Sequence, residues 1–162
     1  GLFALFISKK ANKIICFEPE KENFRLLKKN VKINNINNII INNCAITKTN
    51  KKIKLFFPKG KNYGGFSIFR KRNCSYEWVK SKTPQKAFGD LDEIDLLKID
   101  CEGCEFEILP LIKLESVNAL YMEYHLSKGK KKKFIMDILK KHFRKIKEKK
   151  YNSSLGLIFA EK

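Results

Sequence analysis

Hydrophobic and polar positions change period several times along the chain, and each change marks an element. Leu2 to Ile7 is continuously apolar and runs into Ser8-Lys9-Lys10, which predicts a short buried helix with cations at the end its dipole favours. Ile14, Ile15, Cys16 and Phe17 predict a strand over Lys13 to Glu18, closing on an acid. Glu18-Pro19-Glu20 is a boundary, since proline keeps the residue before it extended and itself suits a first helical turn. Phe24, Leu27 and Val31 recur at helical spacing over Asn23 to Ile33, the asparagines of Asn34 to Asn38 supply turn chemistry, and Ile39-Ile40-Ile41 opens a strand ending near Cys44.

The middle of the chain changes character. Ile53 to Phe57 predicts a strand paired with Ala45 to Lys48 or with a later segment. Pro58 to Phe88 shows little periodicity and reads as a long functional loop whose aromatics pack on something. The stretch around which the rest is organised follows, Leu96-Leu97-Lys98-Ile99-Asp100-Cys101-Glu102-Gly103-Cys104-Glu105. An apolar run from Ile94 to Ile99, broken only by Asp95 and Lys98, predicts a strand buried on both faces as in a parallel sheet. Gly103 predicts a tight turn into a helix over Glu105 to Leu111. Val117 to Tyr124 predicts a strand ending at His125, Lys130 to Phe143 an amphipathic helix, and 146–151 with 155–160 a closing hairpin. Strands alternating with helices predict an α/β fold with a mostly parallel sheet and an antiparallel hairpin at its end, in one domain over residues 1–162.

Composition adds three constraints. With 43% hydrophobic residues in 162, the chain can bury one real core. Its 35 Lys and Arg against 17 Asp and Glu give a formal charge of +18, which suits anionic partners; the abundance of Lys, Ile and Asn throughout makes a compositional origin the preferred one. Five cysteines without framework spacing predict reduced thiols inside a cell, hence a cytoplasmic location. No apolar run reaches the roughly 18 residues that span a bilayer.

Open α/β sheets bind ligands beyond the carboxyl ends of their strands, where Glu18 and the Asp100–Glu105 acids fall. A carboxylate placed like Glu18 can accept both hydroxyls of a ribose, or simply sit at a helix N-terminus. Cys101 and Cys104 form a Cys-x-x-Cys pair without the second pair that a zinc site requires, so small packing residues are the favoured reading. A hard cation held by Asp100, Glu102 and Glu105 is a further, less favoured reading, and no metal is assigned. His142, in the basic helix, is expected in solvent.

Cys16-Phe17-Glu18-Pro19 to Phe24, Asn42-Asn43-Cys44-Ala45-Ile46-Thr47, Leu96 to Leu109 and Met122-Glu123-Tyr124-His125 occur in the order of the FkbM family. Typical family stretches are similar to F-E-P-x-x-x-x-F, L-K-I-D-x-E-G-x-E and E-x-H; alanine at the residue before the last acid of the second is Cys104 here. The resemblance implies a Rossmann-like class I fold and S-adenosylmethionine-dependent methyl transfer to a hydroxyl of a sugar, glycolipid or secondary metabolite. It also implies a glycine-rich loop whose last glycine is matched by Gly1, so that the first strand, central between the Glu18 and Asp100 strands, is missing from this chain. Glu18 would then hold the ribose, Gly1 belong to the cofactor loop, and Asn43 approach the adenine. Asp100 would stand near the transferable methyl, with Glu102 and His125 facing the acceptor hydroxyl. His125 is the natural base, its ordinary pKa lying near neutrality, although a strand-end histidine can equally be bonded to backbone.

Two other readings stay open. Lys128 to Lys133, Lys140 to Arg144 and Arg70-Lys71-Arg72, with Phe66, Phe69, Tyr76 and Trp78, could serve an RNA methyltransferase. A non-catalytic basic binding module is the other. Oligomeric state is not readable from the sequence.

Overall fold

The computed structural model describes residues 1–58, 66–69, 74–126 and 129–162. Arg70-Lys71-Arg72 and Lys128, singled out above, lie outside them. Alternation organises the longest described strands. In β7 (Val117–His125), Val117, Leu120, Met122 and Tyr124 are buried, and β9 (Leu155–Glu161) buries Gly156, Ile158 and Ala160. Together with β6 (Ile94–Ile99) and β8 (Lys145–Lys150) they form a sheet in the order β6-β7-β9-β8, with β6 parallel to β7 and the two terminal strands antiparallel. Its core face is covered by α4 (Glu105–Ile108) and α5 (Lys132–Leu139): Ile108, Ile135 and Leu139 pack with Leu120, Met122 and Ile158. Each such side chain contributes about 1.5–3 kcal/mol by leaving water.

At the chain's start, α1 (Leu2–Ile7) is followed by β1 (Ile14–Phe17), α2 (Lys21–Ile33) and β2 (Ile39–Asn42), with β1 and β2 in parallel register from Ile14↔Ile39 to Phe17↔Asn42. α2 begins where it does because the Glu20 carboxylate accepts the N–H groups of Glu22 at 3.0 Å and Asn23 at 2.6 Å. Pro19 therefore stands before the cap, outside the helix. α2 ends at asparagines, with Asn35 at φ 51°, a conformation asparagine tolerates.

The segment between holds the main departure from expectation. β4 (Lys52–Pro58) pairs antiparallel with β5 (Cys74–Lys82), while β3 (Ala45–Ile46) pairs with the far edge of β5, giving the order β3-β5-β4. A nine-residue strand and the helix α3 (Pro84–Phe88), capped by Thr83, thus occupy much of what reads as a patternless loop. β5 does alternate, but with the usual chemistry inverted: Ser75, Glu77, Val79 and Ser81 turn inward, while Tyr76, Trp78 and Lys80 turn out. Inward Ser81 is satisfied by the carbonyls of Thr49 and Lys51.

Two burial expectations fail. The helix α1 buries only Ala4, leaving Leu2 80% and Phe6 78% exposed. Leu96 of β6 is 38% exposed rather than sandwiched. Among the described residues β6 has a strand partner on one edge only, and short α1 covers little of the face that Leu96 shares with Lys98. There Phe3 stacks on Tyr121 at 6.2 Å with Lys98 Nζ 5.7 Å from its ring centre. The fold is α/β, with parallel ladders (β1-β2, β3-β5, β6-β7) as numerous as antiparallel ones among the described residues. The α4 helix is continued by a short 3-10 turn, and α5 is shorter than its pattern. No described helix is long and apolar enough to cross a membrane.

Candidate active site

The carboxyl ends of β6 and β7 lie side by side, since Ile99 is in register with Met122. The residues just beyond are therefore brought together: Asp100, Glu102 and Glu105 from one chain segment, Glu123 and His125 from the other. Glu102 at φ 52° and Gly103 at φ 103° form the turn, and the Glu102 conformation is an unusual one for a side-chain-bearing residue. Turning the chain here aims the Gly103 N–H at Glu105 Oε1, 3.1 Å away.

Glu105 is 0% exposed, and the same Oε1 lies 3.0 Å from His125 Nδ1. On the other side of the ring, His125 Nε2 is 3.3 Å from Glu123 Oε1 and 3.7 Å from Glu102 Oε2. The Glu105 hydrogen bond raises the His125 pKa above its ordinary value; burial opposes this, and the charges of Glu105, Glu102 and Glu123 add to it. Burial, reinforced by Asp100, in turn raises Glu123. Lys98 Nζ holds Asp100 Oδ2 at 2.8 Å.

Two groups from elsewhere clasp the turn. The Ser67 hydroxyl donates to the Glu102 carbonyl at 2.8 Å, and Lys130 Nζ donates to the Gly103 carbonyl at 2.6 Å. Lys130 Nζ also sits 4.3 Å from the Phe69 ring centre and 4.9 Å from that of Phe106, a cation–π seat. Beside the turn, Cys104 donates its thiol to the Ile46 carbonyl at 3.2 Å. A hydrogen bond to Cys104, together with burial, pushes the Cys101 thiol well above its usual range. Cys101 is thus unreactive in character, Cys104 is buried beside it, and all five cysteines are free.

Glu18 stands just beyond the end of β1. Burial raises its pKa against the Glu20 N–H that its Oε1 accepts at 3.0 Å, and the charges of Glu20 and Asp100 push it further up. Asn43 lies beside Glu18 but spends its amide on the carbonyls of Glu18 at 2.9 Å and Pro19 at 3.1 Å, tying β2 to the turn after β1. Gly1 rests on α2, where a Cβ would come 2.9 Å from Leu27 Cδ1.

Over residues 2–152 the chain matches the family model described as the methyltransferase FkbM domain. It belongs to the FkbM methyltransferase family. No curated protein and no solved structure gave a significant match. In this FkbM domain, sequence reasoning gave Asp100, Glu102 and His125 roles in the reaction, gave Glu105 only a place in the less favoured cation reading, and gave Glu123 and Ser67 none. Glu123 was findable, because residues two apart on a strand share a face and Glu123 is two before His125. Glu105 stood in the motif, yet only the fold turns it onto the His125 ring. For Ser67 no sequence signal existed. His142, expected in solvent, is half-buried with Nδ1 3.5 Å from Glu115 Oε1. Among the described residues no three His, Cys, Asp or Glu side chains are arranged to hold a metal ion. A small hollow lined by Pro84, Phe88, Ile94, Leu111 and Ile112 lies at the opposite, amino end of β6, away from this chemistry.

Proposed function

We propose that this FkbM domain transfers the methyl group of S-adenosylmethionine to a hydroxyl of a sugar, glycolipid or related metabolite. The observation that carries the reading is the gathering of Asp100, Glu102, Glu105 and Glu123 with His125 beyond the adjoining ends of β6 and β7, the histidine held at Nδ1 by a buried carboxylate. This donor set suits the cofactor, which is cationic at sulfur and bears a ribose diol: Glu18 would hold the diol and Asp100 would stand toward the positive centre. Asn43 would border the adenine from the end of β2, and Gly1 would belong to the loop that receives the methionine part. The reading includes a further strand between β1 and β6, supported by the absence of pairing between those two strands among the described residues.

When bound, S-adenosylmethionine supplies a methyl group made electrophilic by the sulfonium. His125 Nε2 would take the acceptor hydroxyl's proton, leaving the acceptor oxygen free to receive the methyl group. Glu105, bonded to Nδ1, would orient the ring so that Nε2 faces the acceptor alongside Glu123 and Glu102. Glu102 accepts from a neighbouring hydroxyl and orients the acceptor, the larger share of catalysis coming from near-attack placement.

Calorimetry tests the first half, using the chain extended by whatever residues precede Gly1 in its reading frame: saturable S-adenosylmethionine binding, abolished in Glu18→Ala, is expected. Transfer of a radiolabelled methyl group to sugar hydroxyls tests the second. Binding unaffected by Glu18→Ala, or transfer unaffected by His125→Ala, would remove the corresponding role.

A further inference from the structure

The outward face of the β4–β5 ribbon is built unlike the rest of the surface. The register pairs Lys52 with Lys80, Lys54 with Trp78 and Phe56 with Tyr76, and all six side chains share that face. Trp78 is 60% exposed and Tyr76 48%. Ring centres run continuously from Phe56 to Tyr76 at 5.9 Å and from Tyr76 to Trp78 at 6.3 Å. Lys54 Nζ stands 4.2 Å from the Tyr76 ring centre and 5.5 Å from that of Trp78. Among the described residues no carboxylate forms an ion pair with Lys52, Lys54 or Lys80. The ribbon's other face already supplies its core contacts, through Ile53, Leu55 and Val79. Nothing among the described residues therefore requires aromatic rings on the outer face, where they stay in water at a cost that burial would relieve.

The face is also continuous with the candidate active site. Phe56 of β4 exchanges both backbone hydrogen bonds with Ser67, at 2.7 and 2.9 Å, and Ser67 is the residue whose hydroxyl holds the Glu102 carbonyl. One strand spacing and one hydrogen bond separate platform from turn.

We propose that this face docks an acidic oligosaccharide, a uronate-bearing glycan whose sugar rings lie on Trp78 and Tyr76 and whose carboxylates meet Lys52, Lys54 and Lys80. The proposal rests on the glycan reading of the acceptor given above and extends it to the acceptor's charge and length. Sugar rings present apolar C–H faces that suit aromatic faces, and the unpaired lysines supply the complementary charge. A nucleic acid fits less well, because it carries a phosphate at every nucleotide. Its path from the platform would end among Asp100, Glu102, Glu105 and Glu123. A glycan with spaced charges can set an uncharged, hydroxyl-rich unit there instead, where carboxylates accept from hydroxyl donors.

Trp78 is the chain's single tryptophan, so its fluorescence reports on the platform directly. Titration with a hyaluronan hexasaccharide, whose uronates alternate with uncharged sugars, at low salt should give a saturable change, weakened about tenfold or more in Lys54→Ala and in Tyr76→Ala, which corresponds to about 1.4 kcal/mol or more. Circular dichroism and melting of both variants should match the parent. The neutral hexasaccharide of glucose should bind at least about tenfold more weakly. The idea is overturned by no saturable response, by equal binding of the parent and both variants, or by tighter binding of oligouridylate or of phosphatidylglycerol vesicles. Cofactor affinity and methyl transfer are read separately on the same protein. An intact fluorescence response with no cofactor binding sinks the enzymatic reading alone, and cofactor binding with no fluorescence response sinks the platform alone.

Discussion

His125 and Glu105, twenty residues apart in the chain, are joined at 3.0 Å through Nδ1 and Oε1, and the carboxylate has no exposed surface. The pair gives the FkbM domain a histidine whose orientation and protonation are both set by a partner that solvent cannot reach. Because the folded state raises the His125 pKa, the stability this contributes is fully present below the unfolded value near 6.5. It is lost as pH rises through the folded value. Urea titrations from pH 6 to 9 should therefore show the parent losing its advantage over His125→Asn toward the alkaline end.

The same shift bears on turnover. If neutral His125 is the base, kcat should rise with pH along a limb whose midpoint lies above 6.5. Glu105→Gln should move that midpoint down toward the ordinary value while leaving the cofactor's affinity within about twofold. A midpoint that stays put would mean that Glu105 only fills space.

Ser67 and Lys130 hold consecutive carbonyls of one turn, so their effects should not add. Ser67→Ala, Lys130→Met and the double variant, compared by urea unfolding, should reveal a coupling of about 0.5 kcal/mol or more. Independent, additive effects would show that the turn is rigid without its clasps.

Gly156 faces Tyr124 across the β7–β9 ladder so closely that a Cβ would lie 2.6 Å from the Tyr124 hydroxyl oxygen. That hydroxyl donates to Glu148 Oε1 at 2.6 Å, and burial together with this bond pushes the Tyr124 pKa up to about 12, so it cannot easily move aside. Gly156→Ala should cost about 1–3 kcal/mol, the usual penalty of overpacking. At this chain length, each kcal/mol lowers the melting temperature by about 2–4 °C.

Glu20 caps α2 with two backbone N–H groups on its carboxylate. Glu20→Ala should cost about 1 kcal/mol, in the range of lost N-caps. Glu20→Asp should recover part of it, since aspartate is a favoured cap. Calorimetric melting distinguishes the two.

How far the chain could be read in advance followed from where its pattern was conventional. β1, α2, β2, β6, β7 and the final hairpin obey ordinary apolar periodicity, and their boundaries fall within a few residues of expectation. β5 escaped notice because Ser81 and Glu77 face inward and Trp78 and Tyr76 outward, the reverse of what hydrophobicity leads one to assume. The apolar runs of α1 and of β6 around Leu96 point to the interior, yet both are partly exposed. Exposure depends on what neighbours cover an element, and no local pattern reports that.

The sequence by itself determined the α/β alternation and the acids at the strand ends, because apolar period and chain-breaking residues act locally. It also carried the motifs that mark an FkbM domain. Tertiary structure alone decided that Glu105 reaches His125, that Ser67 and Lys130 close on the Glu102–Gly103 turn, and that an aromatic face is left in water. Those relations join residues far apart in the chain, and register and packing bring them together only once the sheets have formed.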